Sequence, residues 1–484
     1  MRKIGILAVV VVALGPFVLG VAQDKPPLSA DVTAALATIQ GGDAYGYVKQ
    51  LASPAFAGRL TGHEGYTAAA QWAAGLFKQW RLRPIDPKSG YLQAYPSPYT
   101  VVKKAEMALL LTGETAARKL TPNTDFLPLF FTDSGQAETE IVFAGWGISA
   151  PELGYDDYAG VDVKGKFVLC FRGTPGLPEP KFQYHDEHRT RMKTARDKGA
   201  GGLIYIYPEP ISNPNGDWLQ GFMPIMLSEK ATDLILKERG TNVADIKKAL
   251  QTFKKPLSFA LKSKVKYTVE SEHHPDGLGY NVAGYVEGSD PALRKECIVI
   301  GGHFDHDGFH MGLLFPGADD NASGSATVME IAEATAKLAR KPKRSVVFAL
   351  FGGEEMGLQG STYFADHVPA PFTKIDGMFN FDMTGEGDGA GGSTSDDGLK
   401  AALESANKHV GILRGLGRMS GPVGVRGSDF APFYAKGIAV ASIGSNGPHL
   451  AYHGTGDTIY RINPDIMADI AKLAFLAGYF RADR

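Results

Sequence analysis

Residues 297–305 read CIVIGGHFD, an apolar run that ends in two glycines, a histidine and, two positions further on, an aspartate. A short apolar run bounded by turn residues is typical of a buried parallel strand. Ligands of open α/β sheets gather beyond the carboxyl ends of such strands, and His303 lies at one of these ends. Residues 317–324, GADDNASG, then place Asp319 and Asp320 directly before a predicted helix. The two stretches together predict a ligand site at one edge of a sheet.

Residues 261–484 alternate between apolar runs of strand length and longer helical patterns. Regular alternation of this kind implies an α/β fold, in which a mainly parallel or mixed sheet is covered by helices on both faces. The predicted strands cover residues 296–301, 345–351, 376–382 and 438–443. The predicted helices cover residues 322–340, 358–367, 397–409 and 464–481.

A separate module precedes this alternating region. Residues 136–260 contain three predicted strands, the first of which closes on glycines, and they carry no dense set of catalytic groups. A stretch of this length lies within the usual size range of a domain. We therefore predict that residues 23–135 and 261–484 form one discontinuous domain, and that residues 136–260 are inserted into it.

The bulk composition limits the class of protein. The chain has 484 residues, which is long for one ordinary domain and predicts two or three hydrophobic cores. Its 44% hydrophobic and 21% charged residues are typical of a soluble globular protein. A formal net charge of -2 argues against a nucleic-acid partner and against an anionic membrane surface.

Residues 1–22 have the pattern of a secretory signal peptide. Arg2 and Lys3 precede an apolar run over residues 4–21, and small residues stand before a cleavage point near Ala22. The pattern predicts export to the periplasm or to the outside of the cell, with no membrane contact after cleavage. The alternative is a retained anchor, because the apolar run is near the lower length limit for a membrane span.

Polar residues also follow the other predicted strands at the same edge. Two histidines and three carboxylates form a ligand set for two divalent cations: His303, Asp319, Glu355, Asp382 and His453. Mixed nitrogen and oxygen ligands favour two zinc ions. In this arrangement Asp319 bridges both ions. His303 and Asp382 complete one site, and His453 with Glu355 completes the other.

Two further carboxylates are candidates for catalytic roles. Three ligand carboxylates against two dications leave the cluster positively charged, so a water between the ions should ionise near neutral pH. Glu354, next to Glu355 in an irregular turn, is the candidate general base that takes this proton and passes it to a leaving amine. Asp305 is expected to accept the ring N–H of His303 and so to orient that imidazole.

Each of these signals also has an ordinary structural explanation. A His-x-Asp pattern at a strand end is often a satisfied polar pair, and residues 319–321 could be a helix N-cap cluster. The adjacent glutamates could be solvated surface. Asp382 differs, because it follows an apolar strand where an unpaired charge is costly. As an ordered set, each at a strand end, these residues favour a metal site.

The ordered motifs resemble those of the di-zinc exopeptidase family that includes bacterial leucyl aminopeptidases, glutamate carboxypeptidase and the transferrin receptor. The motifs are GHFD, GADDNASG, FGGEEMGLQGS, NFDM and HGTGDT, at residues 302–305, 317–324, 351–361, 380–383 and 453–458, with a further similar segment at residues 53–62. The resemblance implies a phosphorylase/hydrolase-like zinc peptidase fold and the metal and base roles given above. It also implies a cis peptide bond between Asp319 and Asp320.

Residues 155–166 and 198–206 resemble a protease-associated (PA) domain, so the inserted module is expected to be one. The whole resemblance implies an exported zinc aminopeptidase that hydrolyses the N-terminal bond of peptides through a metal-bridging hydroxide. A carboxypeptidase of the glutamate type is a second candidate, with Arg426 as the residue that would bind a terminal carboxylate. A glutaminyl cyclase-like enzyme with one zinc ion is a third candidate, and a non-catalytic binding protein like the transferrin receptor is a fourth. The sequence does not indicate the oligomeric state.

Overall fold

The structure is a computed structural model, and it describes residue 25 and residues 27–178, 181–420 and 427–484. The predicted signal peptide lies outside the described residues. Within the described ranges, no helix combines the length and the apolar character that a membrane crossing requires.

The larger of the two main sheets has nine strands and a parallel centre. Its four central strands run parallel to one another: Ser345–Phe351, Glu296–His303, Lys374–Phe381 and Val440–Ser445. The strand Leu278–Val286 pairs antiparallel with the first of these and also with Arg83–Pro84 and Leu92–Pro96. The other edge is formed by Ala390–Thr394 and Leu413–Arg418. The sheet is therefore mixed, as predicted.

Helices cover both faces of the larger sheet. Ile298 and Ile300 belong to one core, and Cys297 and Val299 belong to the other, which is the two-residue alternation expected of a strand buried on both sides. The helices on the first face are Ala30–Leu36, Gly41–Leu51, Glu64–Gln79, Gly324–Lys337, Asp397–Val410 and Pro464–Ala482. Those on the second face are Gln359–Asp366 and Phe430–Ala435. The predicted α/β fold class is confirmed.

The second sheet has eight strands and its own hydrophobic cores. In spatial order the strands are Arg118–Lys119, Tyr99–Leu110, Ser258–His274, Gly135–Ala144, Phe167–Phe171, Gly202–Tyr207, Met223–Ser228 and Phe126–Pro128. Four helices pack against this sheet: Phe182–His185, His188–Asp197, Glu229–Leu236 and Val243–Phe253. We call this unit the second domain and the unit around the larger sheet the peptidase domain.

The domain boundaries predicted from the sequence are wrong at both ends of the insertion. Tyr99–Leu110 and Ser258–His274 pair with each other along most of their length, so both belong to the second domain. The second domain therefore runs from about residue 97 to residue 277 rather than over residues 136–260. Pairing between strands so far apart in the chain has no local signal, which is why the pattern of the sequence placed them elsewhere.

Arg59 ties the N-terminal segment to the loops that follow the central strands. Its side chain is fully buried, and its guanidinium donates to the carbonyls of Leu51, Phe304, Pro316 and Gly317 at 2.6–2.8 Å. Phe304 follows His303, and Gly317 precedes the aspartate pair. Burial lowers the pKa of Arg59 to about 10, so the group stays charged at neutral pH. One buried cation thus fixes three segments around the edge of the sheet.

We expect Arg59→Met to lower the free energy of unfolding of the peptidase domain by about 3 kcal/mol or more, because it leaves buried carbonyl groups without donors. Urea denaturation followed by tryptophan fluorescence measures this change. Arg83→Met is the control: Arg83 is 56% exposed and pairs with Glu287, so its loss should cost less than about 1 kcal/mol. Equal losses from the two variants would contradict the assignment of Arg59.

Candidate metal centre

The carboxyl ends of the parallel strands bring the candidate ligands to one edge of the larger sheet. His303 is the last residue of its strand, Asp382 directly follows Lys374–Phe381, and Glu355 lies in the turn after Ser345–Phe351. His453 lies in the loop after Val440–Ser445, where its backbone has a positive φ of 53°. Adjacent parallel strands end at the same edge, so residues far apart in the sequence meet there.

Two sets of ligand atoms face each other across one carboxylate. His303 Nε2 lies 3.4 Å from Asp320 Oδ1 and 3.4 Å from Asp382 Oδ1. His453 Nε2 lies 3.5 Å from Asp320 Oδ2 and 3.2 Å from Glu355 Oε2. The two oxygens of Asp320 therefore belong to different sets, which is the arrangement that a bridging ligand requires.

The bridging position is held by Asp320, and the sequence-based assignment to Asp319 is corrected by one residue. Asp319 points away from both sets: its Oδ2 lies 2.5 Å from His449 Nδ1, and its Oδ1 accepts from the Gly385 amide at 2.8 Å. The turn starts from left-handed Gly317 and includes the non-helical Asp320. Adjacent side chains diverge in such a turn, and spacing alone does not tell which of two aspartates faces the site.

The non-proline cis peptide bond also lies one residue further along the chain than expected. The resemblance implied a cis bond between Asp319 and Asp320, whereas the structure has it between Asp320 and Asn321. The backbone amides of Asp319 and Asp320 donate to the two oxygens of Asp457 at 2.8 and 2.9 Å. Asp457 therefore holds the aspartate loop in place.

An aspartate residue lies near the Nδ1 atom of each of the two candidate ligands His303 and His453. His303 Nδ1 lies 3.3 Å from the carbonyl oxygen of Asp305 and 3.7 Å from its carboxylate. His453 Nδ1 lies 3.2 Å from Asp307 Oδ2. Acceptors at Nδ1 favour the tautomer in which Nε2 is free to bind a cation. At His303 the nearer acceptor is the backbone carbonyl of Asp305 rather than its carboxylate, and the structure adds Asp307 as the partner of His453.

Glu354 is half-buried beside His303 and Glu355. Burial raises the pKa of Glu354 well above its ordinary value; the charge of His303 opposes this, and the neighbouring charge of Glu355 adds to it. The backbone amide of Glu354 donates to Asp305 Oδ1 at 3.2 Å, and Asp305 also accepts from Thr61 Oγ1 at 3.2 Å. A carboxyl group with a raised pKa, held at the edge of the cluster, is suited to accept a proton and pass it on.

The donor set fits a pair of zinc ions. Buried carboxylates converge on the centre, and Asp382 Oδ1 is buried without a hydrogen-bond partner among the described residues. Burial of charge without compensation is costly, and bound cations would offset the negative charge of these carboxylates. Imidazole nitrogen together with carboxylate oxygen is the ligand chemistry of catalytic zinc. His303, Asp320 and Asp382 could hold one ion, and Asp320, Glu355 and His453 could hold the second.

An aromatic side chain stands at the rim of the centre. The ring of Tyr452 packs 4.0 Å from that of His453 and is 55% exposed, and nearby Leu450 is 78% exposed. Tyr452 directly precedes the predicted ligand His453 in the sequence, where no pattern marks it as functional. Its position offers a phenol donor and an apolar surface to a bound molecule.

Comparison with known proteins agrees with this geometry. Residues 281–477 match the model of peptidase family M28. The match includes the five motifs around the centre, and the resemblance to zinc exopeptidases drawn from the sequence is confirmed.

Curated relatives match part of the chain. The chain is 33% identical over 177 residues to leupeptin-inactivating enzyme 1 of Streptomyces exfoliatus, which is 36% of this chain and 38% of that protein. It is 34% identical over 181 residues to an aminopeptidase of Pseudomonas aeruginosa, covering 34% of this chain and 30% of that protein. The matched region spans less than two fifths of the length of these relatives.

Solved structures share the architecture over nearly the whole chain. The aminopeptidase of Aneurinibacillus sp. strain AM-1 superposes with a TM-score of 0.65 at 20% identity, covering 93% of this chain and 95% of that one. A zinc aminopeptidase of Bacillus subtilis gives a TM-score of 0.64 at 20% identity, with 91% and 94% covered. Similarity at this level of identity shows the fold.

We expect Asp320→Asn to lower the zinc content of the purified protein at both sites, because the amide carries no charge and offers one oxygen instead of two. Asp319→Asn is the matched control and should keep nearly all of its zinc, since Asp319 faces His449. Elemental analysis after dialysis measures both. Greater zinc loss from Asp319→Asn than from Asp320→Asn would contradict the assignment of the bridge.

Proposed function

We propose that the protein is an exported zinc aminopeptidase that hydrolyses the N-terminal bond of peptides. The observation that carries this proposal is the placement of the two Asp320 oxygens between two His-carboxylate sets. An aminopeptidase is among the curated relatives, which supports the choice of peptides as substrates. Export rests on the signal-peptide pattern of residues 1–22, and we propose that the second domain is the PA domain expected there.

Two zinc ions, one in each ligand set, would supply Lewis acidity at the scissile carbonyl and lower the pKa of a bound water. The chain supplies the geometry. Asp305 and Asp307 keep the two imidazoles oriented, and Asp457 and Arg59 keep the aspartate loop in place. These supports are in position before any substrate arrives, so little reorganisation is needed during the reaction.

Glu354 is the proposed general base and acid. Its carboxylate would take a proton from the attacking water and hold it, because burial raises the pKa of this group. The same proton would then pass to the nitrogen of the leaving amine. Asp305 fixes the backbone at Glu354 through the amide contact, so the carboxyl group stays at the edge of the cluster.

A carboxypeptidase of the glutamate type is the second candidate. A curated relative named a probable glutamate carboxypeptidase, from Arthroderma benhamiae, is 30% identical over 231 residues, which is 42% of this chain and 30% of that protein. The candidate for binding a terminal carboxylate, Arg426, lies outside the described residues. The filled ligand positions disfavour a binding protein without catalysis, and the inserted domain disfavours a glutaminyl cyclase-like enzyme.

We expect Glu354→Gln to lower kcat by roughly 10²- to 10⁴-fold, the usual contribution of a general base, while the zinc content stays unchanged. Steady-state kinetics and elemental analysis on the same preparation measure the two effects. Glu333→Gln is a matched control, because Glu333 lies on the helix Gly324–Lys337 and pairs with Lys337. A Glu354→Gln protein with normal turnover and full zinc content would rule out the assigned role.

We expect the wild-type protein to release the first residue of peptides with a free amino terminus and to leave acetylated peptides intact. Treatment with a chelator should abolish the activity, and added zinc should restore it. Mass spectrometry of the products identifies the terminus that is cut. Removal of carboxy-terminal residues instead would favour the carboxypeptidase.

A further inference from the structure

A loop of the second domain reaches the candidate metal centre. Residues 208–222 connect Gly202–Tyr207 to Met223–Ser228, and within them Ser212 is buried. The carbonyl oxygen of Ser212 lies 3.3 Å from His453 Nδ1, the same nitrogen that Asp307 approaches. The second domain thus provides one of two acceptors for the ring N–H of a candidate zinc ligand.

Arg189 fastens this loop to the peptidase domain. It lies on the helix His188–Asp197, and its Nη1 and Nε donate to Asn215 Oδ1 and Asp217 Oδ1, each at 2.7 Å. Its Nη2 donates to the carbonyl of Met356 at 2.8 Å. Met356 directly follows Glu355. One guanidinium therefore links the loop that touches His453 to the turn that carries Glu355.

The link depends on the shape of the guanidinium. A planar fork with several donors can serve three acceptors at once, whereas an ammonium group is a point charge at the end of a flexible stem. The turn is also built for close approach: a Cβ on Gly357 would lie 2.7 Å from Arg189 Nη1. The guanidinium therefore packs directly against Gly357, and a side chain at this position would displace it.

We propose that Arg189 is a positioning residue, through which the second domain holds Glu355 and His453 in place as ligands of one of the two zinc ions. The effect is confined to one ligand set. His303 and Asp382 belong to the other, and they lie at the end of central strands of the peptidase sheet. The identity of the metal rests on the proposed function, whereas the link between the domains does not.

The two domains also meet at points that do not involve Arg189. His310 Nε2 lies 2.7 Å from the carbonyl of Pro128, and Asn123 Nδ2 donates to the carbonyl of Met311 at 2.8 Å. These contacts lie on the short hairpin after the first metal motif. Loss of Arg189 should therefore free the loop at residues 208–222 while the second domain stays attached.

The experiment is a zinc competition titration of the full-length protein with a chromogenic chelator, comparing Arg189→Ala with the wild type. We expect one zinc ion to be lost at a roughly 10- to 100-fold lower chelator concentration, which is the usual effect of removing a group that supports a ligand, while the other ion is held as in the wild type. Arg189→Lys should give an intermediate result. Arg196→Ala is the control, because Arg196 lies on the same helix and pairs with Asp197.

Three outcomes would overturn the proposal: both ions held as in the wild type, both ions lost together, or the same change in Arg196→Ala. If Arg189→Ala does not fold, Asp217→Asn removes a single contact of the guanidinium and should weaken the same ion by a smaller factor; unchanged binding there would also count against the proposal. A wild type that binds zinc but cuts no peptide would defeat the proposed function and leave this test intact.

Discussion

The structure around the centre depends on the repulsion between buried carboxylates. Asp320, Glu355 and Asp382 converge with Glu354 close by, and burial together with mutual repulsion raises the pKa of both glutamates well above the ordinary value. Glu354 and Asp382 in turn raise the pKa of His303, although burial opposes this. His303 and His453 oppose these upward pKa shifts of the glutamates only in part. The rest of the fold must therefore hold the cluster together until cations neutralise it.

The aspartate loop is held in place by side chains that bind its backbone rather than its carboxylates. Asp457 accepts from two successive amides of the aspartate loop, and Arg59 donates to the carbonyls of Pro316 and Gly317 at the start of that loop. Backbone contacts fix the loop regardless of the protonation state of the ligands. This explains why an arginine that touches no ligand is buried without exposure beside the centre. The ligands themselves stay free to bind cations.

The sequence predicted correctly those elements whose formation depends on the apolar pattern of their own residues. The central strands and their helices have apolar periodicities of their own, so the prediction for residues 296–301 lies within the strand Glu296–His303. The choice between Asp319 and Asp320 depended on a kinked turn whose shape is set by Asp457, far along the chain. The extent of the second domain depended on the pairing of Tyr99–Leu110 with Ser258–His274, which is non-local as well. Both errors follow from long-range contacts.

The connection between the domains explains why extra contacts are needed at the centre. Pro96 and Leu278 are register partners in the peptidase sheet, and the Ser97 amide donates to the carbonyl of Gly277 at 2.8 Å. Both chain connections to the second domain therefore leave the sheet side by side. Two adjacent connections fix a point of attachment and do not by themselves fix an orientation. The contacts of Arg189 and Ser212 lie beside His453 and Glu355, so they couple the orientation of the second domain to the geometry of one candidate ligand set.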